Sequence, residues 1–173
     1  MNGWVTTITH QQGIKSMNAK VALAGFAFLL PAIIGTGASA TELKVLSVQA
    51  LKPALQELAP AFEKTSSDKV TVEYAKPNAI AKKAATGDDL NNYDVVIADK
   101  AEIEKLYKSA KVAGGSIRVV AMKGPKEAFS AGAPMFGPNP ALAQTLINFL
   151  NSPSAASAYK SAGLQPPPPK KED

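Results

Sequence analysis

Glu42-Leu-Lys-Val-Leu-Ser-Val-Gln-Ala-Leu-Lys-Pro-Ala-Leu-Gln-Glu-Leu-Ala-Pro-Ala-Phe-Glu-Lys64 changes its hydrophobic period part-way along. Leu43 to Leu46 reads as a short strand. Leu51, Leu55, Leu58 and Phe62 then recur at spacings of four, three and four, which is one face of a helix. Pro53 suits the helix's first turn, whereas Pro60 should kink the helix or lie on its solvent side. The same order repeats downstream. Val70-Thr-Val-Glu-Tyr74 alternates with β-branched residues as a second strand, and Asn78 to Thr86 follows as a helix with Ile80 and Ala84 on one side and Gly87 as its stop. Tyr93-Asp-Val-Val-Ile-Ala98 reads as a buried strand, and from about Ala101 a helix places Ile103, Leu106, Tyr107 and Ala110 on one face. Strands and helices in alternation predict an α/β fold: parallel strands, right-handed crossovers and helices on both faces of the sheet.

Beyond Lys111 the chain is punctuated by Gly114-Gly115 and Gly124-Pro125, with Ile117 to Met122 between them as a strand and Phe129 to Ala133 as a further one. Asn139-Pro140 and Ser152-Pro153 are two helix starts of one kind, a capping residue followed by proline at the first helical position. Leu142, Leu146 and Phe149 line the first of these helices, and Ala156 and Tyr159 the second. Residues 166–173, proline-rich and charged, are expected to be extended and disordered.

Ahead of the first strand, Lys15 and Lys20 precede a largely apolar run of 14 residues, Val21 to Ile34, followed by Ala38-Ser39-Ala40. The run is shorter than the roughly 20 residues a membrane-spanning helix needs, and the small residues suit signal peptidase. Residues 1–40 are therefore expected to be a secretory signal peptide cleaved after Ala40, with Met17 as a second candidate start. The mature chain would be periplasmic or secreted, with no membrane span, and of a size for one domain.

Composition then excludes much chemistry. The sequence has no cysteine, and its single histidine and single tryptophan, His10 and Trp4, lie in the leader. Beyond residue 40 there is no imidazole base, no thiolate, no Cys/His zinc site, no disulfide and no cysteine for lipid attachment. With Lys15 and Lys20 set aside, 17 basic residues face 14 acidic ones, a formal +3, and only Arg118 is an arginine. Lysines scattered among acids are a solvated surface rather than a nucleic-acid stripe. The tempting carboxylates, Asp88-Asp89 and Asp94 with Asp99, read more readily as turn or cap residues than as a catalytic dyad. No enzyme activity and no cofactor are expected.

Residues 42–64, Val70 to Ala75, Ala79-Ile-Ala-Lys-Lys83 and Asp94-Val-Val-Ile97 together resemble the first lobe of periplasmic solute-binding proteins of the molybdate-binding type, which deliver an oxyanion to an ABC importer. Phe129-Ser-Ala-Gly132, Asn139-Pro140 and Leu146-Ile-Asn-Phe-Leu-Asn-Ser-Pro-Ser-Ala-Ala156 resemble the family's return strand and closing helices. The resemblance implies a type II binding-protein lobe with a mainly parallel sheet flanked by helices, spanning residues 41–165. Members of the family have two lobes. Here the stretch between about residues 112 and 128 is too short for the second, so a single lobe is expected.

In the family the anion is held by backbone N–H groups and hydroxyls at helix starts. The matching positions here are Ser47, Gln49, Ala50, Lys76 and Asn78, with Ala50 where a serine is expected and Lys76-Pro77-Asn78 in place of a serine cluster. Two helix N-termini at the carboxyl ends of neighbouring strands would still form an anion cradle. The implied ligand is a small oxyanion or polar solute bound weakly, and the implied partners are importer membrane subunits or a separately encoded second lobe. The alternative is a non-transport interaction module or a degenerate remnant of a solute-binding protein, for which Ser47 and Asn78 are only loop and cap residues.

Overall fold

The computed structural model describes residues 40–76, 78–86 and 90–167. The expected signal peptide up to residue 39, Pro77, Gly87, the Asp88-Asp89 pair and the tail from residue 168 lie outside the described residues.

Five strands form one sheet: β1 (Glu42–Val48), β2 (Lys69–Ala75), β3 (Val95–Asp99), β4 (Arg118–Met122) and β5 (Ala128–Gly132), in the order β2-β1-β3-β5-β4. β1 is parallel to both β2 and β3, with Val48 opposite Ala75 and Ser47 opposite Ile97, as the strand-helix alternation predicts. β5 lies antiparallel between β3 and β4, so the sheet as a whole is mixed. The antiparallel half follows from connection length. β4 and β5 are joined by a short turn, which can only make a hairpin, whereas a parallel crossover needs a dozen or more residues.

The helices are α1 (Lys52–Ser66), α2 (Ala79–Ala85), α3 (Lys100–Lys108), α4 (Pro140–Leu150) and α5 (Ala156–Ser161). The chain steps from β1 to β2 in one direction and back past β1 to β3 in the other, so right-handed crossovers put α1 and α2 on opposite faces. α1 packs with α4 and α5 on one face, and α3 packs on β3, β5 and α2 on the other. Leu55, Leu58 and Phe62 of α1 are buried as the spacing predicts, and Pro60 is exposed, where its missing N–H costs no buried hydrogen bond. The helix runs to Ser66 and ends where Ser67 turns left-handed at φ 64°.

Phe62 and Phe149 meet edge to face, with ring centroids 5.5 Å apart, across the α1–α4 contact. Tyr159 of α5 is buried with its hydroxyl donating to the Leu150 carbonyl at 2.9 Å, and burial pushes its phenol pKa well above the usual range. The Asn151 side-chain amide donates to the Val119 carbonyl and so ties the end of α4 to β4. Gln165 and Met122 exchange both backbone hydrogen bonds, which fastens the chain after α5 to the edge strand.

Asp94 holds the amino ends of the strands together. It is 1% exposed, and its two carboxylate oxygens accept the Lys44 N–H at 2.8 Å and the Asn139 N–H at 2.9 Å. One side chain thus links β1, β3 and the start of α4. Both of its oxygens are occupied by backbone donors, which is a structural use of the carboxylate.

Candidate functional site

Parallel strands followed by helices leave a crevice beyond their carboxyl ends, where the chain turns away on either side of the sheet. Such a crevice lies between β1, β3 and the β4–β5 turn, as a cleft of about 570 Å³. Its first wall is Val48, Gln49 and Ala50, at the end of β1 and in the single 3₁₀ turn that leads into α1. The second wall is Asp99, Lys100 and Ala101, where β3 passes into α3. Lys123, Lys126, Glu127, Ala128 and Phe129 of the β4–β5 hairpin complete it.

The hairpin wall is built by its turn. The Lys123 N–H donates to the Glu127 carbonyl at 2.7 Å, and between them Gly124 takes φ 96°, a conformation a residue with a Cβ rarely adopts. The Lys123 ammonium lies 3.7 Å from the Glu127 carboxylate, and both side chains are about two-thirds exposed. On the second wall Lys100 lies 3.8 Å from Glu104, one turn further along α3.

Asp99 occupies the N-cap position of α3 yet makes no side-chain capping bond. The acid in that helix's first turn, Glu102, is used elsewhere. It is 6% exposed, and its Oε1 accepts the Ala81 N–H at 2.7 Å, so α3 caps the start of α2 from outside. Glu102 Oε2 is buried with no hydrogen-bond partner.

The structure separates the residues singled out from the sequence. Gln49 and Ala50 line the cleft and are exposed. Ser47 is fully buried in β1, its hydroxyl 3.3 Å from the Val48 carbonyl to which it donates, and it is not among the lining residues. Lys76 and Asn78 are exposed beyond β2, and they too lie outside the lining. They sit on the flank of the first wall, because Ala75 is in register with Val48. Asn78 stands at φ 61°, and its side chain makes no capping bond to α2. Lys52, at the start of α1, places its ammonium 5.7 Å from the ring centroid of Tyr74 and adds a further positive charge to this flank.

Behind that flank, α2 is latched to the sheet by three side chains. The Tyr93 hydroxyl donates to Glu73 at 2.6 Å, and the Lys83 ammonium donates to Glu73 at 3.1 Å and to the Tyr93 hydroxyl at 3.2 Å. The Tyr93 hydrogen bond first, and then that from Lys83, hold the Glu73 carboxyl below its ordinary value, and the same contacts raise Lys83.

Sequence reading missed Lys100, Lys123, Lys126 and Glu127 as lining residues, and it weighed Asp99 only as a possible catalytic acid. Gly124-Pro125 was visible as a turn with charges around it. What the sequence does not carry is the insertion of β5 between β3 and β4, which swings that turn over the cleft.

A cleft walled by backbone turns, lysines and two carboxylates can hold a small polar molecule. Among the described residues no group of three His, Cys, Asp or Glu could bind a metal, and no helix is long and apolar enough to cross a membrane.

Residues 43–134, from β1 to just past β5, match the family model described as bacterial extracellular solute-binding protein. The chain belongs to this family. Membership assigns it to binding proteins rather than enzymes and to the extracellular or periplasmic side.

Solved structures share the family fold. The substrate-binding domain assigned to a molybdenum ABC transporter from Clostridium difficile superposes with a TM-score of 0.65 at 10% identity, over 75% of this chain and 100% of that one. The periplasmic molybdate-binding protein of Azotobacter vinelandii gives 0.63 at 12% identity, over 73% and 100%. PEB3 of Campylobacter jejuni, with L-phospholactate bound, gives 0.52 at 10% identity, over 71% and 99%. At these identities the likeness is one of fold. No curated protein matches the sequence significantly.

Proposed function

We propose that the chain is an extracytoplasmic solute-binding protein that presents a small anionic or polar solute to an ABC importer. The observation that supports this most is the cleft itself, at the carboxyl ends of β1 and β3, with Gln49 and Ala50 on its first wall. Lys76 and Asn78 flank that wall and Ser47 lies beneath it, so this group remains our proposed ligand-binding set. The solved relatives named for molybdenum and molybdate make an oxyanion the first solute class to test.

We further propose that residues 1–40 are a signal peptide removed after Ala40, that residues 41–165 are one lobe and that the segment from residue 166 is a tail. In support of a single lobe, the described residues hold one sheet, and β4 passes into β5 through a hairpin turn at Lys123–Glu127. A two-lobed protein would have its second lobe inserted there. One lobe leaves a bound solute half hydrated and supplies part of the donor set, so affinity should be weak.

Calorimetry with protein beginning at Thr41 tests the reading. Binding of a small anion at about millimolar strength, from the loss of several charged hydrogen bonds at roughly 1.5–3 kcal/mol each, is expected. Submicromolar molybdate binding would contradict the single-lobe reading. Intact-mass analysis of exported protein tests the processing: a chain starting at Thr41 is expected, and one retaining Val21 to Ile34 would refute it.

A second reading, an interaction module, is favoured by one observation. Phe136 is 77% exposed and Met135 is 40% exposed, in the loop after β5 at the opposite end of the sheet from the cleft. Phe136→Ser abolishing association with a partner protein, with solute binding absent, would move the account to that reading.

A further inference from the structure

The charges that line the cleft are not those of a simple anion site. Lys123 is paired with Glu127 and Lys100 with Glu104. Among the described residues two cleft charges are left without an ion pair or a side-chain hydrogen bond, and they differ in sign: Asp99 on the α3 wall and Lys126 on the hairpin wall. They do not pair with each other. The cleft lining also includes the apolar residues Ala101, Ala128 and Phe129.

From this geometry we infer that the solute is zwitterionic: a small organic molecule with an anionic group for Lys126 and an ammonium for Asp99. The inference rests on the reading of the cleft as the solute site and narrows it. A bare oxyanion drawn to Lys126 would share the cleft with a carboxylate that has no ion pair, and the repulsion works against its binding. A ligand with opposite charges at its two ends satisfies both walls. It also uses a cleft volume of the class that holds organic molecules. Specificity here comes from a repulsive element as much as from an attractive one, with Asp99 working against anions that lack a positive end.

The fold leaves both residues free for this role. Asp99 is released from capping duty on α3 and Glu102 is turned toward α2 instead, so the carboxylate at the mouth of the cleft is not consumed by the fold. Lys126 sits at the tip of a turn whose backbone closure is made by Lys123 and Glu127, so its side chain has no structural task among the described residues.

Matched ligand pairs test the inference in calorimetry with the purified full chain. Phosphoethanolamine is compared with ethyl phosphate, β-alanine with propionate, and molybdate serves as the bare oxyanion. Each is run on the unmodified protein, on Asp99→Asn and on Lys126→Gln. Both substitutions fall on exposed side chains, and melting curves taken alongside confirm folding.

The expected result is that each zwitterion binds up to about fivefold more tightly than its anionic partner, the size of one exposed charge pair. Asp99→Asn should abolish that preference and raise molybdate affinity, while Lys126→Gln should weaken both members of each pair equally. Equal binding of phosphoethanolamine and ethyl phosphate, with Asp99→Asn changing neither, would overturn the inference and leave the solute site standing. No binding by any member of the panel would remove the inference and the solute-site reading together.

Discussion

β3 carries an aspartate at each end, and the two have opposite fates. Asp94, just ahead of the strand, is 1% exposed and spends both oxygens on backbone N–H groups of Lys44 and Asn139. Asp99, its last residue, is exposed, stands at an N-cap position without capping and faces the cleft. The same side chain is therefore a fastening at the amino end of the sheet and an unspent charge at the carboxyl end. In an α/β sheet the carboxyl ends are where chains diverge into turns and where ligands are met, so stability can be concentrated at one end and recognition at the other.

The largest expected effect breaks the fastened end. Asp94→Ala leaves the part-buried N–H groups of Lys44 and Asn139 without their acceptor, at roughly 1–3 kcal/mol each. Denaturant unfolding should show a loss of about 3 kcal/mol, whereas Asp99→Asn should stay within about 0.5 kcal/mol of the unmodified protein. Equal losses at the two ends would dissolve the comparison.

Glu102 sharpens it, because it belongs to the cleft end yet is buried. Glu102→Ala removes the acceptor of the Ala81 N–H and should cost about 1–3 kcal/mol. Glu102→Gln keeps an acceptor for that N–H, so it should cost less, as measured by chemical denaturation. A larger loss for the glutamine variant than for the alanine variant would show that the unpartnered oxygen has a role beyond the tether to α2.

The smallest expected effect is on the latch of Glu73, Lys83 and Tyr93. The folded-state pKa of Glu73 lies below its ordinary 4.5, so its contribution is fully present above that value and is lost as pH falls through the folded value. Glu73 is half exposed and solvent-screened, so the contribution should be under about 1 kcal/mol. Thermal melts of Tyr93→Phe should show a shallower loss of stability on the acid side than the unmodified protein. An unchanged acid slope would mean that the latch is electrostatically idle.

How much of this the sequence carried depends on the range of the interactions involved. Strands β1 to β3 and the buried face of α1 were legible because apolar period is a local property of the chain. The task of Asp94 was not, since its partners lie 50 and 45 residues away in sequence.

Among the proposed ligand residues, Gln49 and Ala50, singled out by the family resemblance, fall on the cleft wall at the carboxyl end of β1. Ser47 falls within a continuously buried stretch of β1, from Val45 to Val48, that the alternation of a half-exposed strand would not predict. Lys76 and Asn78 follow the edge strand β2 and so flank the cleft rather than line it. The cleft's third wall needed the position of β5, and antiparallel insertion between two earlier elements leaves no periodic mark on the chain.

The central claim is that solute is met at the carboxyl ends of the strands and nowhere else. Backbone amide spectra recorded during a titration with phosphoethanolamine test it most directly. The account predicts shifts at Gln49, Ala50, Asp99 and Lys126, with Asp94, Met135 and Phe136 unmoved. Shifts centred on Met135 and Phe136, with the cleft amides silent, would contradict it.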